Sequence, residues 1–247
     1  MKLGAKTNLD DIGVAKALAK EADFIEIYYT SGVDYKKMPK AVYTMHCPHH
    51  DFGVNLALLG SKSGVSAVKD SLVLAEKLKC KTAIVHTGTK APGASVENMI
   101  KNLKGLMKFA KSKKIRLLIE NLPYMSNAGT HTTSLPGEYK KIIDEIGCGF
   151  CLDFSHAIHS AFAHKTDYKK VITDFLKLKP EYFHLYNTNM NQANDVHLSF
   201  DDENGNIDFD FILPLIPKNA VVALELPDPK VKNFINAKKF LKSKGAI

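Results

Sequence analysis

Residues 82–120 read TAIVHTGTKAPGASVENMIKNLKGLMKFAKSKKIRLLIE, and this stretch contains the repeating unit of the chain. It opens on a short apolar run, Thr82–His86, passes through an amphipathic stretch of helical period, Val96–Lys113, and closes on a second apolar run, Arg116–Glu120. A strand, a helix and a strand at this spacing predict a βαβ unit with parallel strands. Working outward, similar runs recur at Lys2–Lys6, Phe24–Tyr29, Val42–His46, Phe150–Asp153, Tyr182–Tyr186 and Val221–Glu225. Further stretches of helical period lie at Ser66–Lys79, Gly137–Ile146, Tyr168–Leu178 and Ala237–Lys242, with apolar residues three and four apart, as in Leu72, Ala75 and Leu78. Eight strands alternating with helices in 247 residues is the arithmetic of an α/β protein of the (β/α)8, or TIM-barrel, kind. The links after the second and seventh strands are irregular and predict less than a full helix. No Ser/Gly-rich linker or break in composition divides the chain, so 1–247 reads as a single domain.

Composition bounds the class. With 45% hydrophobic and 24% charged residues the chain can bury a sizeable core, which excludes a disordered chain or a disulfide-stapled scaffold. No run approaches the ~18–20 consecutive apolar residues of a membrane span, so no membrane partner is expected. The four cysteines (Cys47, Cys80, Cys148 and Cys151) sit inside apolar runs, which points to a reducing cytoplasm. Cys148 and Cys151 form a C-x-x-C pair with no second pair to match it, and they read as buried thiols. The formal charge of +8 favours an anionic partner such as nucleic acid or phosphate. Yet Arg116 is the one arginine among 34 basic residues, so guanidinium forks for phosphate or guanine are almost absent.

What ends each strand is more informative. The third run ends in His46, the fourth in His86, the fifth in Glu120 and the sixth in Asp153; the seventh carries His184, and the eighth closes on Glu225. In a parallel barrel all C-terminal strand ends share one face, where barrel enzymes keep their chemistry. Two further segments join the set: His156 in Asp153-Phe-Ser-His156, and the pair Asp195 and His197 in Asp195-Val-His197. Imidazoles and carboxylates are the ligands that zinc, manganese and related divalent ions accept. An acid ending an apolar run, as Glu120 and Glu225 do, is penalised unless a cation offsets it. In HCPHHDF either His46 or His49 could be the ligand from the third strand, and His50 could also reach a metal. His159 and His164 read as structural or surface residues. His131, in the polar loop SNAGTHTTS, stands open between substrate contact and solvent. Asn121, Tyr124 and Asn127 in ENLPYMSN are candidate substrate contacts, and Lys6 could meet a substrate phosphate.

The segments HCPHHDFGVNLA, VHTG, LLIEN, CLDFSHA, HLYN, DVHLSFDDENGNID and LELPDP, in this order, resemble the endonuclease IV and xylose isomerase-like TIM-barrel superfamily (AP endonuclease family 2). The resemblance runs from His46 to Pro229 and implies one of two activities. In the endonuclease IV-like branch nine residues hold three zinc ions. By that resemblance His46 (or His49), His86 and Glu120 hold the first, and Glu120 bridges to a second held by Asp153, His184 and Glu225. His156, Asp195 and His197 hold the third. The implied reaction is phosphodiester hydrolysis at abasic sites in DNA, with Glu120 positioning the attacking hydroxide; over the two branches Glu120, Glu225 and His156 are the catalytic candidates. In the isomerase and epimerase branch a single divalent ion on Glu120, Asp153, His184 and Glu225 serves a sugar or sugar phosphate. Glu120 and Glu225 then act as the acid and base, and His156 contacts sugar oxygens. The complete nine-residue set and the positive charge lean to the nuclease. Against it, Phe52 and Gly53 stand where nucleases of this group wedge a bulky pair into DNA, and Tyr29–Lys37 lacks the arginine expected there.

Overall fold

The computed structural model describes residues 1–127 and 129–247. Eight parallel strands close into a barrel: β1 (Lys2–Asn8), β2 (Phe24–Tyr28), β3 (Val42–His46), β4 (Thr82–Val85), β5 (Arg116–Glu120), β8 (Gly149–Asp153), β9 (Tyr182–Leu185) and β10 (Val221–Leu224). Two short strands, β6 (Met125–Ser126) and β7 (Gly129–Thr130), form a hairpin outside the barrel. The helices are α1 (Ile12–Leu18), α2 (Val65–Lys77), α3 (Val96–Ser112), α4 (Pro136–Ile146), α5 (Phe154–Ala163), α6 (Tyr168–Leu176), α7 (Phe209–Ile212) and α8 (Val231–Ser243). As expected, the link after β2 holds only a one-turn 3-10 helix, Tyr35–Lys37, and the link after β9 only the four-residue α7 followed by a one-turn 3-10 helix, Leu213–Leu215. The eight strands fall where the apolar runs predict, within two residues at each end. The last helix begins six residues earlier than its periodicity suggests, at Val231 rather than Ala237.

Side chains on a strand alternate between faces, and this alternation sorts the chemistry from the packing. Leu3, Ala5, Ile25, Ile27, Met45, Ala83, Val85, Leu117, Ile119, Phe150, Leu152, Phe183, Leu185, Val222 and Leu224 belong to the large core cluster that also takes in residues of the helices. The residues between them form a second, smaller cluster of Phe24, Ile84, Leu118, Cys151, Tyr182 and Ala223. That cluster fills the lower part of the barrel, and the next same-face residues along these strands are Glu26, His86, Glu120, Asp153, His184 and Glu225. A register shift between β2 and β3 pairs Ile25 with Val42 but Glu26 with Thr44, leaving one extra residue on β3. Such a bulge re-aims the side chains beyond it, and here it sets His46 opposite Tyr28 and stacked on that ring at 4.8 Å.

Two glycines make room inside the lower barrel. A Cβ at Gly4 would overlap the Phe24 ring, and one at Gly149 would overlap the Leu118 side chain. Gly105, by contrast, lies exposed within α3, and a Cβ there meets nothing. The four cysteines are buried free thiols. The lone arginine sits at the N-terminal end of β5, where its Nε donates to Glu181 Oε2 at 3.0 Å, at the opposite end of the strand from Glu120. Among the described residues no helix is long and apolar enough to cross a membrane.

Over-packing a tight interior costs about 1–3 kcal/mol, whereas replacing an exposed helical glycine by alanine gains about 0.5–1 kcal/mol. Gly4→Val should therefore lower the denaturation midpoint in urea and Gly105→Ala should raise it, at unchanged slope. Equal effects of the two substitutions would contradict this packing.

Candidate metal centre

The C-terminal mouth of the barrel holds a cavity of about 150 Å³ lined by Lys6, His46, His86, Glu120, His156 and Glu225, among others. Glu120, at the end of β5 and 1% exposed, is its hub. His46 Nε2 and His86 Nε2 each lie 3.2 Å from Glu120 Oε2. On the other oxygen, Oε1, His184 Nδ1 approaches to 3.0 Å and His156 Nδ1 to 3.3 Å. His184 Nδ1 also lies 2.7 Å from Glu225 Oε1. Donor atoms of Glu120, Asp153, His184 and Glu225 all fall within 4.8 Å of one another, as do those of His46, His49 and His86. The third set predicted by resemblance is looser. His156 Nε2 and His197 Nε2 converge on Asp195 Oδ2, at 3.3 and 3.1 Å, but these three do not form a group of that compactness.

Local structure explains how distant residues arrive together. Asn121 accepts the Asp153 N–H on Oδ1 and donates Nδ2–H to the Asp153 carbonyl, both at 2.8 Å, locking the end of β8 to the end of β5. Its amide is thereby occupied with backbone, not turned to a substrate. Asp153 caps α5 by accepting the His156 N–H at 2.8 Å, so the D-x-x-H spacing follows from a helix start. Asn187, just beyond β9, donates to the carbonyls of Ser199 and Asp202, folding the following loop back so that Asp195 and His197 return to the mouth. A Cβ at Gly205 would overlap the Asn187 amide. Tyr186 donates to Asp195 Oδ1 at 2.6 Å and stacks on His197 at 3.9 Å.

The remaining sequence candidates divide. Lys6 is ion-paired, with Nζ 2.7 Å from Glu225 Oε1 and 3.6 Å from Glu26 Oε1; it still lines the cavity. Tyr124 packs its ring against His164 and is absent from the cavity lining, whereas Asn127 is part of that lining. His159 is structural: its ring nitrogens contact the Gln192 carbonyl and the Thr188 hydroxyl. His131, left open by the sequence, is buried in the cavity wall; its Nδ1 lies 2.6 Å from the Pro123 carbonyl, and burial pushes its pKa down to about 3.

Glu26 is the residue that reading strand ends misses. It lies mid-strand on β2, fully buried, with both carboxylate oxygens 3.1 Å from His184 Nε2 and with Tyr182 donating to it at 2.7 Å. A carboxylate on the far nitrogen of an imidazole fixes the ring and leaves the near nitrogen for a metal. The signal was the acid inside FIEIY, an otherwise apolar strand.

The electrostatics fit a bound cation. Asp153 Oδ2 and His86 Nδ1 are buried without any hydrogen-bond partner. Burial, with Glu120 and Glu225 adding to it, raises the Asp153 pKa to about 7 against the pull of His156 and His184. Burial opposes charge on His184 too, but Cys151 and the carboxylates of Glu225, Glu26 and Glu120 outweigh it and raise its pKa well above the imidazole range. A proton between Glu120 and Glu225 thus fills the place that suits a divalent ion. Burial holds His49 and His86 well below that range, neutral and ready to ligate.

A closed parallel barrel whose C-terminal mouth is ringed by carboxylates and imidazoles defines an α/β-barrel protein whose rim could hold a metal ion. The profile of the xylose isomerase-like TIM barrel family matches residues 33–244, and the chain belongs to that family. Among solved structures, a D-tagatose 3-epimerase-like protein shares 19% identity at a TM-score of 0.74, over 99% of this chain and 97% of that one. The TTHB071 protein from Thermus thermophilus, in crystals soaked with ZnCl2, shares 16% at 0.71 over 98% and 99%. Endonuclease IV from the same organism shares 17% at 0.71 over 99% and 98%. At these identities the likeness establishes the fold alone. No curated protein sequence matches the chain significantly.

Zn2+ or Mn2+ returned to chelator-treated protein should raise Tm, by about 3 kcal/mol of stability at 100 times Kd. Glu26→Gln should weaken that binding about 10–100-fold, measured by calorimetric titration. Equal affinity in the variant would remove Glu26 from the site.

Proposed function

We propose that this chain is a divalent-metal-dependent phosphodiesterase of the endonuclease IV type, acting on DNA at abasic sites. One observation carries the reading: Glu120 joins two separate donor groups, His46 and His86 on Oε2 and the group of Asp153, His184 and Glu225 on the side of Oε1. A sugar isomerase of the mononuclear kind needs only the second group, and buried imidazoles gathered without a ligand role are costly. The first group would hold one ion and the second another, zinc being the natural occupant of nitrogen-rich sets. His156, Asp195 and His197 would complete a third. Bound there, such ions supply Lewis acidity and charge neutralisation at a phosphoryl centre.

The chain's own residues then have defined tasks. Glu120 holds the two halves in register and would position the attacking hydroxide. Lys6 pins Glu225 Oε1 and brings a buried positive charge to the cavity wall, suited to an anionic diester. Phe52 stands 56% exposed beside Tyr28, where it offers a face for stacking a base. Lys90 is exposed on the loop after β4, and its backbone N–H bonds the hairpin at Thr130. Its ammonium lies 5.3 Å from the centroid of the Tyr124 ring and would be a phosphate contact at the rim.

A second reading rests on the facing of Glu120 and Glu225 across His184 Nδ1, at 3.0 and 2.7 Å. Two carboxylates so placed could pass a proton on and off a sugar carbon as base and acid. The D-psicose 3-epimerase crystallised with D-fructose has this fold, at 16% identity and a TM-score of 0.68.

The two readings separate in a paired assay of one sample, with abasic duplex DNA in one arm and ketoses with sugar phosphates in the other. Strand cleavage is expected, falling with salt at a log–log slope of about −0.9 per lysine–phosphate contact. Epimerised sugar with intact DNA overturns the proposal in favour of the second reading. Glu120→Ala should abolish turnover, whereas His197→Ala should lose one ion and most of the cleavage. Full activity in Glu120→Ala contradicts both mechanisms.

A further inference from the structure

The lower barrel cluster of Phe24, Ile84, Leu118, Cys151, Tyr182 and Ala223 carries a phenol directly beneath the layer of carboxylates and imidazoles. Tyr182 and His184 stand two apart on β9, so their side chains share a face, and their rings meet edge to face at 5.6 Å. Tyr182 is buried, and its hydroxyl lies 2.7 Å from Glu26 Oε2. Glu26 reaches both residues from β2, which β1 and β10 separate from β9 in the barrel order. The carboxylate therefore crosses the interior to make these bonds, and no sheet pairing brings it there.

The direction of each bond follows from what its acceptor can do. A carboxylate facing an imidazole N–H and an ammonium is an acceptor only, so Tyr182 donates to Glu26. The phenol oxygen is left to accept, and Thr44 hydrogen-bonds it. Thr44 Oγ1 in turn lies 2.7 Å from Thr82 Oγ1, which must then be the donor to it. Hydroxyl protons thus point one way, from Thr82 through Thr44 and Tyr182 to Glu26, and bonds aligned in this manner polarise one another. His184 Nε2 stands 3.1 Å from both Glu26 oxygens, so it does not by itself choose how the carboxylate is turned. Lys6 Nζ, at 3.6 Å from Oε1, is too far for a hydrogen bond. The Tyr182 bond, made to Oε2 alone, sets the carboxylate plane. The carboxylate then sets the imidazole, whose Nδ1 lies 3.0 Å from Glu120 Oε1 and 2.7 Å from Glu225 Oε1.

We propose that Tyr182 is a positioning residue of the metal centre, acting through Glu26 to aim His184 Nδ1 at an ion shared with Glu120, Asp153 and Glu225. Tyr182 is absent from the cavity lining, so its influence passes through two buried side chains. Outer hydrogen bonds of this kind orient a metal-binding imidazole. A phenylalanine at 182 would keep the ring packed against Phe24, now 5.9 Å away, and remove only the donor. The inference rests on reading the inner groups as metal-holding, but not on which reaction they perform.

The test reads metal affinity, not turnover. Chelator-stripped full-length protein is titrated calorimetrically with Zn2+ as the parent, Tyr182→Phe, Glu26→Gln and the double variant. Tyr182→Phe should weaken one equivalent about 10-fold, the lower end of the effect of losing an outer partner, with the number of ions at saturation unchanged. In the Glu26→Gln background the same substitution should have little further effect, because residues acting along one path are not additive. A phenol that merely fills space would lower Tm in both backgrounds and leave affinity alone. Equal affinities of parent and Tyr182→Phe, or the same loss in both backgrounds, overturn the inference. A parent that takes up no ion overturns it together with the metal-holding reading. Intact abasic DNA beside the expected affinities would remove the proposed reaction and leave the role of Tyr182 standing.

Discussion

Buried negative charge is the constraint around which the molecule is arranged. Glu26, Glu120, Asp153 and Glu225 all lie inside the barrel, and three of them place oxygens within 4.8 Å of one another. At an effective dielectric constant near 20, each pair of charges at that distance repels by about 3 kcal/mol. Three such pairs rival the whole stability of a typical domain, about 5–15 kcal/mol. Cations must offset this. Lys6 supplies one at Glu225, and His184 and His156 supply others by taking up protons despite their burial. Asp153 Oδ2 still accepts no hydrogen bond, its nearest imidazoles being those of His156 and His184 at 3.7 and 3.9 Å. Divalent ions would discharge the same repulsion without relying on protons.

The rest of the fold holds that charge in place. Outward-facing aliphatic residues fasten the strands to the helices, and the lower interior is filled by Phe24, Ile84, Leu118, Cys151, Tyr182 and Ala223. Only the upper interior is left for polar groups. Buried asparagines then tie the loops: Asn55 bonds Thr89 and Ala57, Asn121 bonds Asp153, and Asn187 bonds Ser199 and Asp202. Each stands in the chain beyond a strand whose last residues reach the site, and each ties down backbone that would otherwise be free to drift from the mouth.

How much of this was legible beforehand depends on the physical origin of each feature. The barrel was visible because period-two and period-3.6 patterns are local, and the strand-end acids and imidazoles were visible because burial at a strand end is itself a local pattern. Glu26 was not, because its reason for being buried, His184 and Tyr182, lies over 150 residues away. The β3 bulge was equally hidden, although it decides that His46 turns inward. Asn121 and His131 read as polar loop residues open to a substrate; their partners, the Asp153 backbone and the Pro123 carbonyl, appear only when the chain is folded. Lys6 read as a free cation, and its pairing with Glu225 spans 219 residues.

Members of this fold family differ in chemistry while sharing the barrel, so the decision falls to the site. The feature on which our proposal rests is that one carboxylate, Glu120, meets imidazoles on both of its oxygens. Anomalous diffraction at the zinc edge, from crystals grown with Zn2+, addresses that feature most directly. At least two peaks are expected to flank Glu120, one beside His46 and His86 and one among Asp153, His184 and Glu225. A single peak confined to the second group, or none at the barrel mouth, would contradict a Glu120-centred pair of ions.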